Sequence, residues 1–186
     1  MTVVFLSGSR HIGRLTADVR QRLNNIVENG LSIVVGDANG ADRAMQAHLA
    51  ELRYKDVTVY FVGEAPRNNV GAWSTQRIEG DPKLSGRDFY AQKDKHMSKL
   101  CDFGLVLWNG KSPGSVQNML WLAEEGKKSV VYFAPERHFH CLKTHEDVVE
   151  LLMKCDDDVL DDLNKKIELP PSLRRATRRQ PTLDLW

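Results

Sequence analysis

Along the first two thirds of the chain, short continuous apolar runs alternate with longer stretches whose apolar residues recur at helical spacing. Val3, Val4, Phe5 and Leu6 form the first run, which Ser7, Gly8 and Ser9 end. Leu15, Val19, Leu23, Ile26 and Val27 follow on one helical face, and Asn29-Gly30 stops that helix. Residues 31–35 predict a second strand, 41–53 a helix, 57–62 a third strand and 89–100 a helix. Residues 103–108 predict a fourth strand, 115–125 a helix ended by Gly126, and 129–133 a fifth strand stopped by Pro135. Unbroken apolar runs suit strands covered on both faces, as in a parallel sheet wrapped by helices. The expected fold class is therefore α/β: a Rossmann-like parallel sheet of order 3-2-1-4-5 with helices on both faces and a short helical C-terminal extension.

Two regions break the alternation. Residues 63–86 have weak periodicity and contain Pro66, Gly71, Trp73, Gly80 and Pro82, which predicts a long loop of the kind that often serves as a lid. Beyond Pro135, residues 145–154 read as a helix, and an acidic stretch from Cys155 continues as a second short helix to Lys166. The expected domains are 1–135 for a nucleotide-binding unit, 136–169 for a helical extension, and 170–186 for a basic tail, mobile or docked on a partner.

Loops of small residues follow three of the predicted strands. They are Ser7-Gly8-Ser9-Arg10, then Gly36-Asp37-Ala38-Asn39-Gly40-Ala41-Asp42, then Asn109-Gly110-Lys111-Ser112-Pro113-Gly114-Ser115. Glycine lets backbone approach a ligand, and the N–H groups and dipole of a following helix favour an anion. In a 3-2-1-4-5 sheet the first and fourth strands flank the switch point where open α/β sheets bind ligands. The pattern predicts a phosphate- or ribose-bearing ligand held by Gly8, Ser9, Arg10, Gly36, Asp37, Asn39, Gly40, Lys111, Ser112, Gly114 and Ser115, with Trp73 stacking on a base. Neither GxGxxG nor GxxxxGK[ST] occurs in these loops.

The same loops resemble the SLOG superfamily, and within it the YspA-related branch, whose pattern runs GSR, GGAxGAD and a GxSxGT-like turn. The resemblance covers about residues 1–135. It implies a nucleotide or nucleotide-derived ligand. In some relatives, such as the Lonely Guy phosphoribohydrolases, it implies hydrolysis of the N-glycosidic bond of a nucleoside monophosphate. Others are thought to sense NAD-derived or cyclic nucleotides, or to bind single-stranded DNA. The Lonely Guy pattern PGGxGTxxE places a glutamate where this chain has Asn118, and Lys93-Asp94 stands near that family's RN pair.

Cleaving an N-glycosidic bond needs a carboxylate near the anomeric carbon. Asp37, Asp42, Asp88 and Asp94 are the acids near predicted strand ends, and of these Asp42 and Asp94 are the catalytic candidates, with Asp42 weighed against a capping or loop-bracing role. A non-catalytic sensor of a nucleotide or NAD-derived signal is the first alternative. The second is a nucleic-acid-binding accessory protein using Arg174, Arg175, Arg178 and Arg179.

Charge and composition narrow the classes further. The 26 Lys+Arg nearly balance the 25 Asp+Glu, which argues against a wholly basic nucleic-acid binder. No apolar run is long enough to span a membrane, and the opening MTVVFLSGSRH lacks the basic start of a signal peptide. Cys101, Cys141 and Cys155 are odd in number and form no CxxC, which fits reduced thiols in a cytoplasm. His138, His140, Cys141 and His145 do not match a zinc spacing, so they are expected as solvated histidines after a strand, with no metal and no cofactor implied. Homo-oligomerisation stays open.

Overall fold

The structure, a computed structural model, describes residues 1–171. Its centre is a seven-stranded sheet: β1 (Val3–Gly8), β2 (Ser32–Gly36), β3 (Val57–Val62), β4 (Ser74–Ile78), β5 (Phe103–Trp108), β6 (Lys128–Phe133) and β7 (His138–Leu142). Their order is β4-β3-β2-β1-β5-β6-β7. Every neighbouring pair is parallel except β6 with β7. The five strands expected from the apolar runs occupy the middle in the expected order. The fold is α/β and Rossmann-like.

Alternation along β1 explains the two layers of helices. Val4 and Leu6 pack with Val19, Leu23 and Ile26 of α1 (Ala17–Glu28) and with Met45 and Leu49 of α2 (Ala41–Glu51). Phe5 faces the other way. It joins Met97 of α3 (Gly86–Leu100), Val116 and Met119 of α4 (Pro113–Glu124), Leu151 of α5 (His145–Leu152) and Leu160 of α6 (Asp157–Asn164). Residues on both sides of Pro135 thus share one core. The chain leaves β3 and β4 at one edge and returns through α3 to β5, beside β1. That return creates the switch point.

Both edge strands escaped the apolar pattern. Residues 63–86 are not one long loop: β4 lies within them and pairs with β3 from Thr58↔Ser74 to Val62↔Ile78. Its first four residues are exposed, so backbone pairing rather than burial defines it. The segment expected to open a helical extension likewise begins with a strand. β7 pairs antiparallel with β6, and two of the histidines expected to be solvated, His138 and His140, lie on it, whereas His145 opens α5. His138 is exposed, whereas His140 is half-buried and 3.1 Å from Glu136 Oε2. Pro135 stops β6, but the tight turn through Arg137, whose N–H donates to the Ala134 carbonyl at 3.2 Å, sends the chain straight back.

Helix starts follow their capping chemistry. Thr16 Oγ1 accepts from Val19 N at 3.4 Å, and Ser112 Oγ from Ser115 N at 3.4 Å. At α5 a reciprocal capping box forms between Thr144 and Asp147. Thr144→Ala removes the hydroxyl half of that box, and urea denaturation should show a loss of about 1 kcal/mol. An unchanged midpoint would mean that Asp147 alone holds the α5 start.

No helix among the described residues is long and apolar enough to cross a membrane. The expected tail arginines, Arg174, Arg175, Arg178 and Arg179, lie outside the described residues.

Candidate functional site

A cleft of about 1010 Å³ opens at the carboxyl ends of β1 and β5. That is at the upper end of the size range of small-molecule sites. The β1 loop supplies Ser7, Gly8, Arg10 and His11, and the β5 loop faces it with Asn109, Lys111, Ser112 and Gly114. Helix α3 forms a third side, with Tyr90, Lys93 and Asp94 among its contributions, and α6 contributes Val159. Of the residues expected to hold ligand, Gly8, Arg10, Lys111, Ser112 and Gly114 line this cleft, as do Asp42 and Asp94.

The remaining expected residues sit elsewhere. Ser9 is fully buried and ties loops together: its N–H donates to the Leu107 carbonyl at 2.8 Å, and its carbonyl accepts from Ala41 N at 3.0 Å. Gly40 has φ +79°, and a Cβ there would strike the backbone of Arg10, so this glycine seats the second loop against the first. Asp37 is completely buried and is held by Arg67, whose Nε lies 2.8 Å from Oδ2 and whose NH2 lies 2.6 Å from Oδ1. Arg67 N donates to the same carboxylate at 3.0 Å. Asn68 Nδ2 donates to the Asp37 carbonyl at 2.8 Å and to Asn39 Oδ1 at 3.0 Å. The Gly36 carbonyl accepts from Gln46 Nε2 at 2.8 Å. In the second loop Asp37 and Asn39 thus spend their polar groups on the β3–β4 connection, and Gly36 on α2. Trp73 is 9% exposed, donates from Nε1 to the Tyr54 carbonyl at 2.8 Å and does not line the cleft. Ser115 is buried behind the rim in the first turn of α4.

Behind the cleft lies a group of buried charges. Lys93 is 2% exposed; its Nζ lies 2.6 Å from Asp94 Oδ1 and 3.9 Å from Asp37 Oδ1. Asp42, 5% exposed, accepts from Ala38 N at 3.2 Å. A Cβ on Gly36 would collide with both Asp42 Oδ2 and Lys93 Nζ, so the missing side chain at Gly36 is what lets these two groups converge. Unpaired buried charge is expensive, which explains why the acids gather round one ammonium.

The environments separate the acids. Burial pushes the Asp42 carboxyl up to about 7; Lys93 opposes the rise, and Asp94 and Asp37 add to it. Burial also works against ionised Asp37, but the hydrogen bonds of Arg67, with the charges of Lys93 and Arg67, outweigh it and hold that carboxyl below its ordinary value. Burial disfavours charged Lys93, yet Asp94, Asp42 and Asp37 together raise its pKa. At neutral pH the cleft therefore borders a carboxyl poised between its two forms and a firmly charged ammonium.

Several groups here carried no motif signal. Lys93 and Arg67 are ordinary in the sequence; Lys93 becomes central through its burial, and Arg67 through its bonds to the buried Asp37. Ser7 Oγ, Ser115 Oγ and Trp108 Nε1 are buried without a hydrogen-bond partner among the described residues. Ser7 is the one of these that lines the cleft. Asn118 and Trp121 line it from α4. No group of three potential metal ligands occurs among the described residues.

No protein-family model matches the chain, and no curated protein matches it. Solved structures do. DNA processing protein A from Helicobacter pylori, described as binding single-stranded DNA, superposes with a TM-score of 0.56 at 17% identity, covering 88% of this chain and 79% of that one. DNA processing protein A from Streptococcus pneumoniae gives 0.55 at 17% identity, covering 82% of this chain and 56% of that one. The chain thus spans little more than half of the second protein. At this identity the likeness carries the fold alone. These findings correct the resemblance drawn from the loops: no family model places the chain in the SLOG superfamily or its YspA-related branch, and the structural neighbours are DNA processing protein A. The reason is physical: small residues after parallel strands answer the needs of a tight strand-to-helix turn and of close loop packing, as Gly40 shows.

Proposed function

We propose that this chain binds single-stranded nucleic acid, holding a nucleotide unit in the β1/β5 cleft through its phosphate. The observation that carries this reading is the facing of two rims: Gly8 and Arg10 on one side, and Lys111, Ser112 and Gly114 at the α4 N-terminus on the other. Glycine backbone, a hydroxyl, a helix N-terminus and two cations converge there, which suits a phosphodiester. The neighbour from Helicobacter pylori, described as a single-stranded DNA binder on a similar fold, supports the nucleic-acid form of the ligand.

Fluorescence anisotropy with a labelled single-stranded oligonucleotide tests the reading. Binding should weaken as salt rises, and Arg10→Ala combined with Lys111→Ala should reduce both the affinity and the salt slope. Truncation after Leu169 measures what the basic tail adds. Absence of salt-sensitive binding by the full chain would remove the proposal.

One observation favours a second reading, hydrolysis of a nucleoside monophosphate. Asp42 is poised near pH 7 at the cleft, as a general acid or base requires. Chromatography of ribo- and deoxyribonucleoside monophosphates after incubation should then show free base, abolished by Asp42→Asn. If no base is released by the folded protein, the hydrolytic reading fails and binding stands alone.

A further inference from the structure

One face of α4 is graded along the cleft. Gly114, Gln117, Asn118 and Trp121 all line it, at spacings of three and four that place them on a single stripe. The stripe runs from the helix N-terminus at the phosphate-type rim, through two amides, to an indole. Seven residues at helical rise separate its ends by about 10 Å. That is the reach of one nucleotide from phosphate to base.

Each level of the stripe suits a different part of such a ligand. At the rim, Gly114 brings no side chain between backbone and phosphate. At mid-depth, Asn118 is buried beside the cleft, and Ser7 at the end of β1 is 3% exposed with its Oγ unpartnered. A buried hydroxyl without a partner costs free energy that a ligand's polar group removes. At the far end Trp121 is half-buried. Val159 of α6 lines the same cleft and gives it an apolar neighbour in the lining. Tyr90 is less available, because Arg67 lies 4.4 Å from its ring centroid. Trp108 is fully buried and stacked with Phe133, and Trp73 is committed to Tyr54. Among the described residues, Trp121 is therefore the tryptophan that the cleft presents to a ligand.

We propose that Trp121 is the base-stacking platform of this cleft, so that a bound nucleotide lies along α4 with its phosphate at Gly114, its sugar beside Ser7 and Asn118, and its base on the indole. This rests on the nucleic-acid reading above and adds the orientation and the recognition element. Stacking on an aromatic tolerates every base, so the site should show weak sequence preference.

The test compares an ordinary single-stranded oligonucleotide with a base-free oligomer of equal length, which keeps every phosphate and sugar. Anisotropy titrations use the full chain and the Trp121→Ala and Trp121→Phe variants, with folding checked by circular dichroism. Trp121→Ala should weaken the ordinary oligonucleotide about tenfold or more. It should leave the base-free oligomer unchanged, and Trp121→Phe should recover most of the loss. Tryptophan fluorescence should also fall when wild-type protein binds the ordinary oligomer, and the fall should vanish in Trp121→Phe. Equal weakening of both oligomers, or of neither, overturns the platform while leaving phosphate binding intact. If wild-type protein binds neither oligomer, the nucleic-acid reading itself falls, and the platform with it.

Discussion

Replacing Lys93 with methionine should destabilise the protein by about 3–5 kcal/mol, the usual cost of removing one partner from a buried ionic group. The long apolar stem is kept, so the change isolates the ammonium. In the wild type that ammonium sits 2.6 Å from Asp94 and 3.9 Å from Asp37, and it opposes the rise in the Asp42 pKa. Asp37 keeps Arg67, and Asp94 is partly hydrated, so these two adapt in part. Asp42 is left with Arg67 as the other cation whose charge it feels; without Lys93, which opposes the rise in its pKa, its ionised form becomes still less favourable. The loss should therefore be larger at pH 8 than at pH 5, and the double variant with Asp42→Asn should recover part of it at pH 8. Urea denaturation at both pH values reads all three statements. A loss below about 1 kcal/mol at pH 8 would show that Lys93 is not the counter-charge of this group.

The sheet's centre was legible because burial on both faces leaves a mark in the sequence. Val4, Phe5 and Leu6 must all be apolar, since Phe5 faces one helical layer and its neighbours face the other. The edges leave no such mark. Ser74, Thr75, Gln76 and Arg77 form a strand while exposed, because their pairing to β3 is made by backbone groups that every sequence possesses. The cleft's rims were legible for a similar reason: where β1 ends at Gly8 and in the first turn of α4 at Gly114, small residues are visible in one dimension. The charge group behind the cleft was not. Lys93 lies far along the chain from Gly36 and Asp42, and nothing in its local sequence says that α3 will bury it against them. Loop two misled for the complementary reason. Asp37 and Asn39 read as open polar groups, but Arg67 and Asn68 arrive from a segment that itself looked like a free loop.

That difference matters for how the site is built. The loops that form the facing rims of the cleft are the first and the third, whereas the second mainly braces the β3–β4 connection and reaches the cleft through Ala38 and Asp42. Arg67, bound to Asp37 and lying over Tyr90, couples the β3–β4 connection to the wall that α3 presents to the cleft. Lys93 couples α3 to the same Asp37, while its pair with Asp94 lies within α3. The cleft's third side is therefore held by charge pairs from two directions, and its shape and electrostatics share the same residues.

Asp42→Asn should remove a loss of stability that the wild type undergoes between about pH 4 and 8. The Asp42 carboxyl has an ordinary value of 3.8 and is raised to about 7 in the fold. A raised carboxyl means that the folded state prefers the proton. The stability linked to it is complete below 3.8 and is lost as the pH climbs through about 7. The loss by pH 8 is on the order of 4 kcal/mol for a group shifted this far. Asparagine carries no charge at any pH and keeps an oxygen to accept from Ala38 N. The variant should thus match the wild type near pH 4 and exceed it in stability at pH 8. Asp37 works in the opposite sense, because its lowered pKa yields stability above 3.8 that is lost only as the pH falls through its folded value. The window for Asp42 is therefore free of it. Denaturation of both proteins at pH 5, 6, 7 and 8 gives the difference directly, and a difference that stays flat across that range would return Asp42 to an ordinary solvated acid. The same titration changes the cleft's charge by one unit, so anion binding by the wild type should weaken from pH 6 to 8 while binding by Asp42→Asn stays level.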